Sequence, residues 1–126
     1  MSIIYTGSFF HLFDWDGQFA MAKRVVELLK PEPGSMLLGR QVGNINPGEY
    51  TRVGCDGERR RWRHDPRTWK EMWELVGKET GTKWDVHAEM EQLGFERRKF
   101  GTVETKFLER RGEPGTRKLL FVVKRL

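Results

Sequence analysis

The sequence predicts an α/β fold in a single domain spanning residues 1–126, and three observations carry that reading. A short apolar strand, Ile3 to Phe9, reads as buried and runs into a helix with an acidic start. A second short apolar segment, Ser35 to Gly39, closes a strand–helix–strand unit, which implies parallel strands joined by a right-handed crossover. A turn-rich stretch near the end lies between two apolar runs and predicts an antiparallel hairpin.

Each element has its own signal. Asp14 or Asp16 can cap the first helix, and Phe19, Ala22, Val26 and Leu29 recur on one face of it. Pro31 to Gly34 stops that helix. Gln41 to Arg63, with its several glycines, reads as a polar loop. In "HDPRTWKEMWELVGKETG", Asp65 stands at the cap and Pro66 at the first helical position. Trp69, Met72, Trp73 and Val76 form the apolar stripe of this second helix, and Gly77 or Gly81 ends it. Trp84, Val86, Ala88 and Met90 alternate with polar residues, as in a half-buried strand. Gly94 to Val103 carries no clear pattern. Phe107 to Arg110 and Leu119 to Val123 are the predicted arms of the final hairpin.

Composition narrows the function classes. The 126 residues are 37% hydrophobic and 33% charged, which fits a globular chain with a heavily charged surface. A net charge of +5 is mild and does not by itself indicate nucleic acid. The basic run "ERRRWRHD" (Glu58 to Asp65) is short and reads as a solvated loop, so no nucleic-acid partner is expected. The single Cys55 excludes an intrachain disulfide and any multi-cysteine metal site, and it points to a reducing, cytoplasmic setting. It lies in no nucleophile motif. No histidine pair has metal-ligand spacing, so no metal is expected. No secretion signal is evident, and no apolar run reaches the roughly 18 residues that span a membrane.

Four stretches in order, "SFFHLFDWDGQ", "LLKPEPGSMLLGRQVG", "RHDPRTWKEMWELVGKETGTKW" and "GTRKLLFVVKRL", resemble the carboxyl-terminal half of class I S-adenosylmethionine methyltransferases. The likeness is to the fungal small-molecule type of secondary metabolism and covers nearly the whole chain. It implies half of a Rossmann-like sheet, as a two-layer or three-layer sandwich, in a family whose strand order is 3-2-1-4-5-7-6. Met1 falls where the fourth strand of that order begins. The resemblance thus implies that the glycine-rich turn for the methionine end and the acidic residue for the ribose lie outside this chain. No GxGxG follows a strand here, and "GRQVGNINPG" is weak as a cofactor motif. No cofactor is therefore expected, with S-adenosylmethionine bound only if a partner chain supplies the other half. The leading strand becomes an edge with apolar residues on both faces. A homodimer through Ile3 to Phe9 and the adjacent helix is the expected solution, the alternative being a partner chain.

Candidate site residues gather around the first turn. His11 follows the first strand, and ligands of open α/β sheets sit beyond the carboxyl ends of strands. A neutral imidazole there can act as acid or base near pH 7, or simply hold a turn. "FDWDGQ" resembles the "HDWxDE" stretch of O-methyltransferases, in which the first His is the catalytic base; Phe13 stands at that place here. Phe10, Phe13 and Trp15 can line an apolar substrate pocket with Gln18 as a polar anchor, or pack as core. The resemblance places the loop before the second helix over the substrate, where Arg40, Arg63 and His64 can bind a carboxylate and His64 can shuttle a proton. His87 falls on the polar side of its strand. The expected function is acid–base chemistry on a small natural-product intermediate, an isomerisation or cyclisation, with His11 and His64 as catalytic groups. Half of a split methyltransferase and a non-catalytic binding partner are the other two readings.

Overall fold

A computed structural model describes residues 2–7, 9–54, 57–91 and 115–126. Its elements are β1 (Ile3–Gly7), a 3-10 turn (Phe10–Leu12), α1 (Trp15–Leu28), β2 (Met36–Asn44), β3 (Gly48–Gly54), β4 (Gly57–Arg63), α2 (Pro66–Thr80), β5 (Trp84–Glu91) and β6 (Thr116–Arg125). The main sheet has the order β1-β2-β6-β5. β1 and β2 are parallel, while β6 runs antiparallel to both of its neighbours.

Local chemistry sets the helix limits. The Asp14 carboxylate accepts the Gly17 N–H at 2.8 Å and caps α1. In α2, Asp65 accepts the Thr68 N–H at 2.8 Å while the Thr68 hydroxyl accepts the Asp65 N–H at 3.0 Å. This reciprocal pair and Pro66 together fix the start of α2. Gly81 ends it with φ of 71°, a conformation that a side chain would strain.

Both helices cover the same face of the sheet. Ala22 and Val25 of α1, Leu29 at its carboxyl-terminal cap, and Trp69, Met72, Trp73 and Val76 of α2 meet Leu37, Leu119, Phe121 and Val123 in one core. The expected α2 stripe is buried as read. The α1 stripe is rotated: Gln18, Ala22, Val25 and Leu29 are buried, whereas Phe19 and Val26 are only partly so. The cause is Gln18, which turns inward to reach backbone carbonyls.

Three sequence readings need correction. The first strand ends at Gly7, and Phe10 begins a tight turn instead of continuing it. It is no buried strand: alternate residues are exposed, Ile3 at 58% and Tyr5 at 61%. The second strand continues well past Gly39 to Asn44, and the expected polar loop from Gln41 to Arg63 holds the end of β2 and the antiparallel pair β3–β4. Glycines and arginines masked these strands, since neither residue advertises strand propensity. Gly94 to Val103, Phe107 to Arg110 and Cys55 lie outside the described residues. No helix among the described residues is long and apolar enough to cross a membrane.

Candidate functional site

The chain leaves the carboxyl end of β1, makes the 3-10 turn and enters α1 within a few residues. That sharp course drives Phe10 into the core, where its ring meets Trp69 edge-on at 5.2 Å. His11 is buried beside it, and its Nδ1 accepts the Val42 backbone N–H at 3.2 Å. A ring nitrogen that accepts carries no proton, so the proton of the neutral His11 ring sits on Nε2. The His11 carbonyl accepts from Arg63 Nη1 at 2.7 Å. Arg63 is itself buried, and part of its charge is thus spent on a backbone dipole.

Gln18 ties the turn to β4. Its Nε2 donates to the Phe13 carbonyl at 3.0 Å and to the Trp62 carbonyl at 2.9 Å. The Trp62 N–H donates to the same Phe13 carbonyl at 3.0 Å. Trp15 meets the Trp62 ring edge-on at 5.0 Å and lies 5.5 Å from His64. His64 completes the group: its ring is 5.2 Å from Trp69 and its Nδ1 is 2.9 Å from the Thr68 hydroxyl. Burial lowers the His64 pKa to about 3, because an imidazolium there would lose its water. His64 is therefore neutral at pH 7 and does not titrate near it, unlike the proton shuttle expected from the sequence.

The structure brings His11, Phe10, Phe13, Trp15, Gln18, Arg63 and His64 together at the carboxyl ends of β1 and β2. They form a packed aromatic and polar knot rather than a solvated basic loop. Arg40 is separate. It is exposed on the opposite face of the sheet, in a shallow trough of about 600 Å³ shared with Tyr5, Leu38, His87 and Glu89. A carboxylate clamp of Arg40, Arg63 and His64 is therefore not assembled. His87 is 80% exposed, on the polar side of β5 as read.

The glycines of "GRQVG" serve packing. A Cβ on Gly39 would run into the Thr6 carbonyl, and one on Gly43 into the His64 carbonyl. The sequence reading missed Gln41 and Thr68. Gln41 is buried on β2, and strand alternation continued beyond Gly39 is the signal that would have found it. Among the described residues, no three of His, Cys, Asp or Glu stand together as metal ligands.

The chain is 42% identical over 129 residues to O-methyltransferase phiE of Fungal sp. (strain ATCC 74256), an alignment covering 99% of this chain and 42% of the relative. It is 40% identical to O-methyltransferase atr3 of Stereocaulon alpinum, over 73% of this chain and 26% of the relative. It is 38% identical to the Asnovolin E/Chermesin D methyltransferase nvfJ of Aspergillus novofumigatus, over 68% of this chain and 30% of the relative. The chain thus spans less than half the length of these relatives. No family model matches it, and no solved structure matches it.

Proposed function

We propose, for a chain that belongs to the family of fungal methyltransferases, that it forms the acceptor-side half of an enzyme methylating a hydroxyl of a small natural product. The observation that carries this reading is the sheet order β1-β2-β6-β5, with the antiparallel β6 inserted between β2 and β5. It reproduces the 4-5-7-6 side of the family sheet, the side away from the glycine-rich turn. In this reading S-adenosylmethionine supplies the methyl group and is held by strands that pair beyond β1. The knot at the carboxyl ends of β1 and β2 then forms the wall against which the acceptor lies. Its neutral His64 supports an uncharged acceptor.

Calorimetric titration tests the division of labour. This chain alone should give no binding heat with S-adenosylmethionine, and binding should appear once the amino-terminal part of a relative such as phiE is added. Tight binding by this chain alone would overturn the reading.

A second reading, isomerisation or cyclisation without a methyl donor, has one observation in its favour. The Val42 contact fixes His11 in the tautomer with Nε2 protonated, which is a hydrogen-bond donor beside the first turn. A His11→Gln variant should then lose turnover while keeping its fold. Full turnover in that variant would remove His11 from the chemistry.

A further inference from the structure

Around the His64–Trp69 contact, six polar atoms on five side chains have no hydrogen-bond partner among the described residues: Gln18 Oε1, Gln41 Oε1 and Nε2, Trp62 Nε1, His64 Nε2 and Trp69 Nε1. Gln18, Gln41, His64 and Trp69 are at most 2% exposed. Proteins leave few buried polar atoms unpaired, because each forfeits its bonds to water.

The side chains that carry these atoms share one neighbourhood. The His64 ring lies 5.2 Å from Trp69 and 6.2 Å from Trp62. The Gln18 amide is fastened to the Trp62 carbonyl. Gln41 pairs with Leu119 on the helix-covered face of the sheet, one step along from the Gly39–Phe121 pair. Phe121 in turn lies 4.6 Å from Trp69. Gln41 therefore projects toward the same aromatic group from the sheet below it.

The chemistry of the cluster selects its ligand. Two indole N–H groups and the Gln41 amide nitrogen donate, and the Gln18 and Gln41 oxygens accept. His64 is neutral there. Arg63 is engaged by the His11 carbonyl, and the Asp65 carboxylate by the Thr68 N–H. The six atoms themselves offer no counter-charge to an ion, whereas a group that both donates and accepts would satisfy several of them at once.

We propose that this cluster binds a neutral hydroxyl between Gln41, Gln18 and the Trp62, His64 and Trp69 rings. Ordered water and a small aromatic alcohol carry the same O–H, and either fits the donor and acceptor set. Trp15 and Trp62 are only partly buried and form the solvent-facing edge of the cluster. The inference stands apart from methyl transfer, since it needs neither a methyl donor nor a second chain.

Two measurements on the full chain and on Gln41→Met, a change of similar volume, test it. The first is titration with phenol, read by tryptophan fluorescence, with benzoate as the charged control. The second is the urea midpoint. Saturable phenol binding that is weakened at least tenfold in Gln41→Met, with benzoate far weaker, supports the site and identifies a small alcohol as its occupant. No phenol binding, together with a lower urea midpoint in Gln41→Met, supports the site and identifies water. Three results overturn it: phenol binding unchanged in the variant, benzoate binding as tight as phenol, or no phenol binding with an unchanged or raised midpoint. Should Gln41→Met not fold, the ¹⁵N shift of His64 Nε2 in the unaltered chain decides. A hydrogen-bonded shift supports the site, and an unpaired one overturns it.

Discussion

The two faces of the sheet use the same strands and meet different fates. On the helix side, Leu37, Leu119, Phe121 and Val123 are at most 4% exposed. On the other side, their strand neighbours Leu38, Leu120 and Val122 line an open trough, with Val122 at 38% exposure. A face meant for water alternates with its buried face as polar against apolar, and β5 does so with Asp85, His87 and Glu89 pointing outward. β1, β2 and β6 instead carry apolar residues on both faces, the pattern of strands covered on both sides. The comparison teaches that only part of the open face is composed for water. The boundary runs between β6 and β5.

The most disruptive way to probe this contrast is to attack the covered face. Trp69 is fully buried and touches Phe10, Phe121, His64 and Trp73. Trp69→Ala should cost about 3–5 kcal/mol, a large share of the stability of a domain this size. Urea unfolding followed by circular dichroism measures it. A loss under about 1 kcal/mol would mean that the helix side is not the core.

A smaller but adjustable effect comes from His64. Its pKa is about 3 in the fold and about 6.5 in the unfolded chain, so between those values the unfolded state binds the extra proton. The stability from keeping His64 neutral is therefore present above pH 6.5 and is lost as pH falls toward 3. The slope approaches about 1.4 kcal/mol per pH unit inside that window. Thermal unfolding from pH 7 to pH 4 should show this decline, and His64→Phe should flatten it. An equal slope in both proteins would separate His64 from the acid sensitivity.

The capping chemistry and the α2 stripe were legible because helix signals are local: Asp65, Pro66 and the spacing of Trp69, Met72, Trp73 and Val76 lie within a few turns of one another. β3 and β4 were not legible, since "GEYTRVG" and "GERRRWR" pair through backbone atoms that any side chain permits. At the candidate site, the grouping of His11, Phe13, Trp15 and Gln18 follows from their closeness in sequence. The arrival of Arg63 and His64 beside them depends on where the β3–β4 hairpin returns, a long-range event with no local mark. Arg40 was misplaced for a related reason. β2 extends beyond Gly39, and strand alternation then sends Arg40 and Gln41 to opposite faces.

The smallest expected change in the isolated chain falls on the open side, where it separates covering of the face from pairing of the edge. The Ser2 carbonyl accepts the Met36 N–H, so in a parallel ladder Ser2, Ile4 and Thr6 address β2, while Ile3, Tyr5 and Gly7 turn their backbone groups outward. Tyr5→Pro removes an outward N–H and no internal one, and proline is tolerated on edge strands. Val122→Lys places a charge on the apolar trough without touching the edge. Each should shift the stability of the monomer by no more than about 0.5–1 kcal/mol. Sedimentation equilibrium then reads their separate effects on association. If a second copy pairs with β1 across a two-fold axis, Tyr5→Pro should abolish the dimer and Val122→Lys should leave it. If a partner covers β1, β2 and β6 from above, the order reverses. A chain that stays monomeric without either substitution has neither kind of self-association.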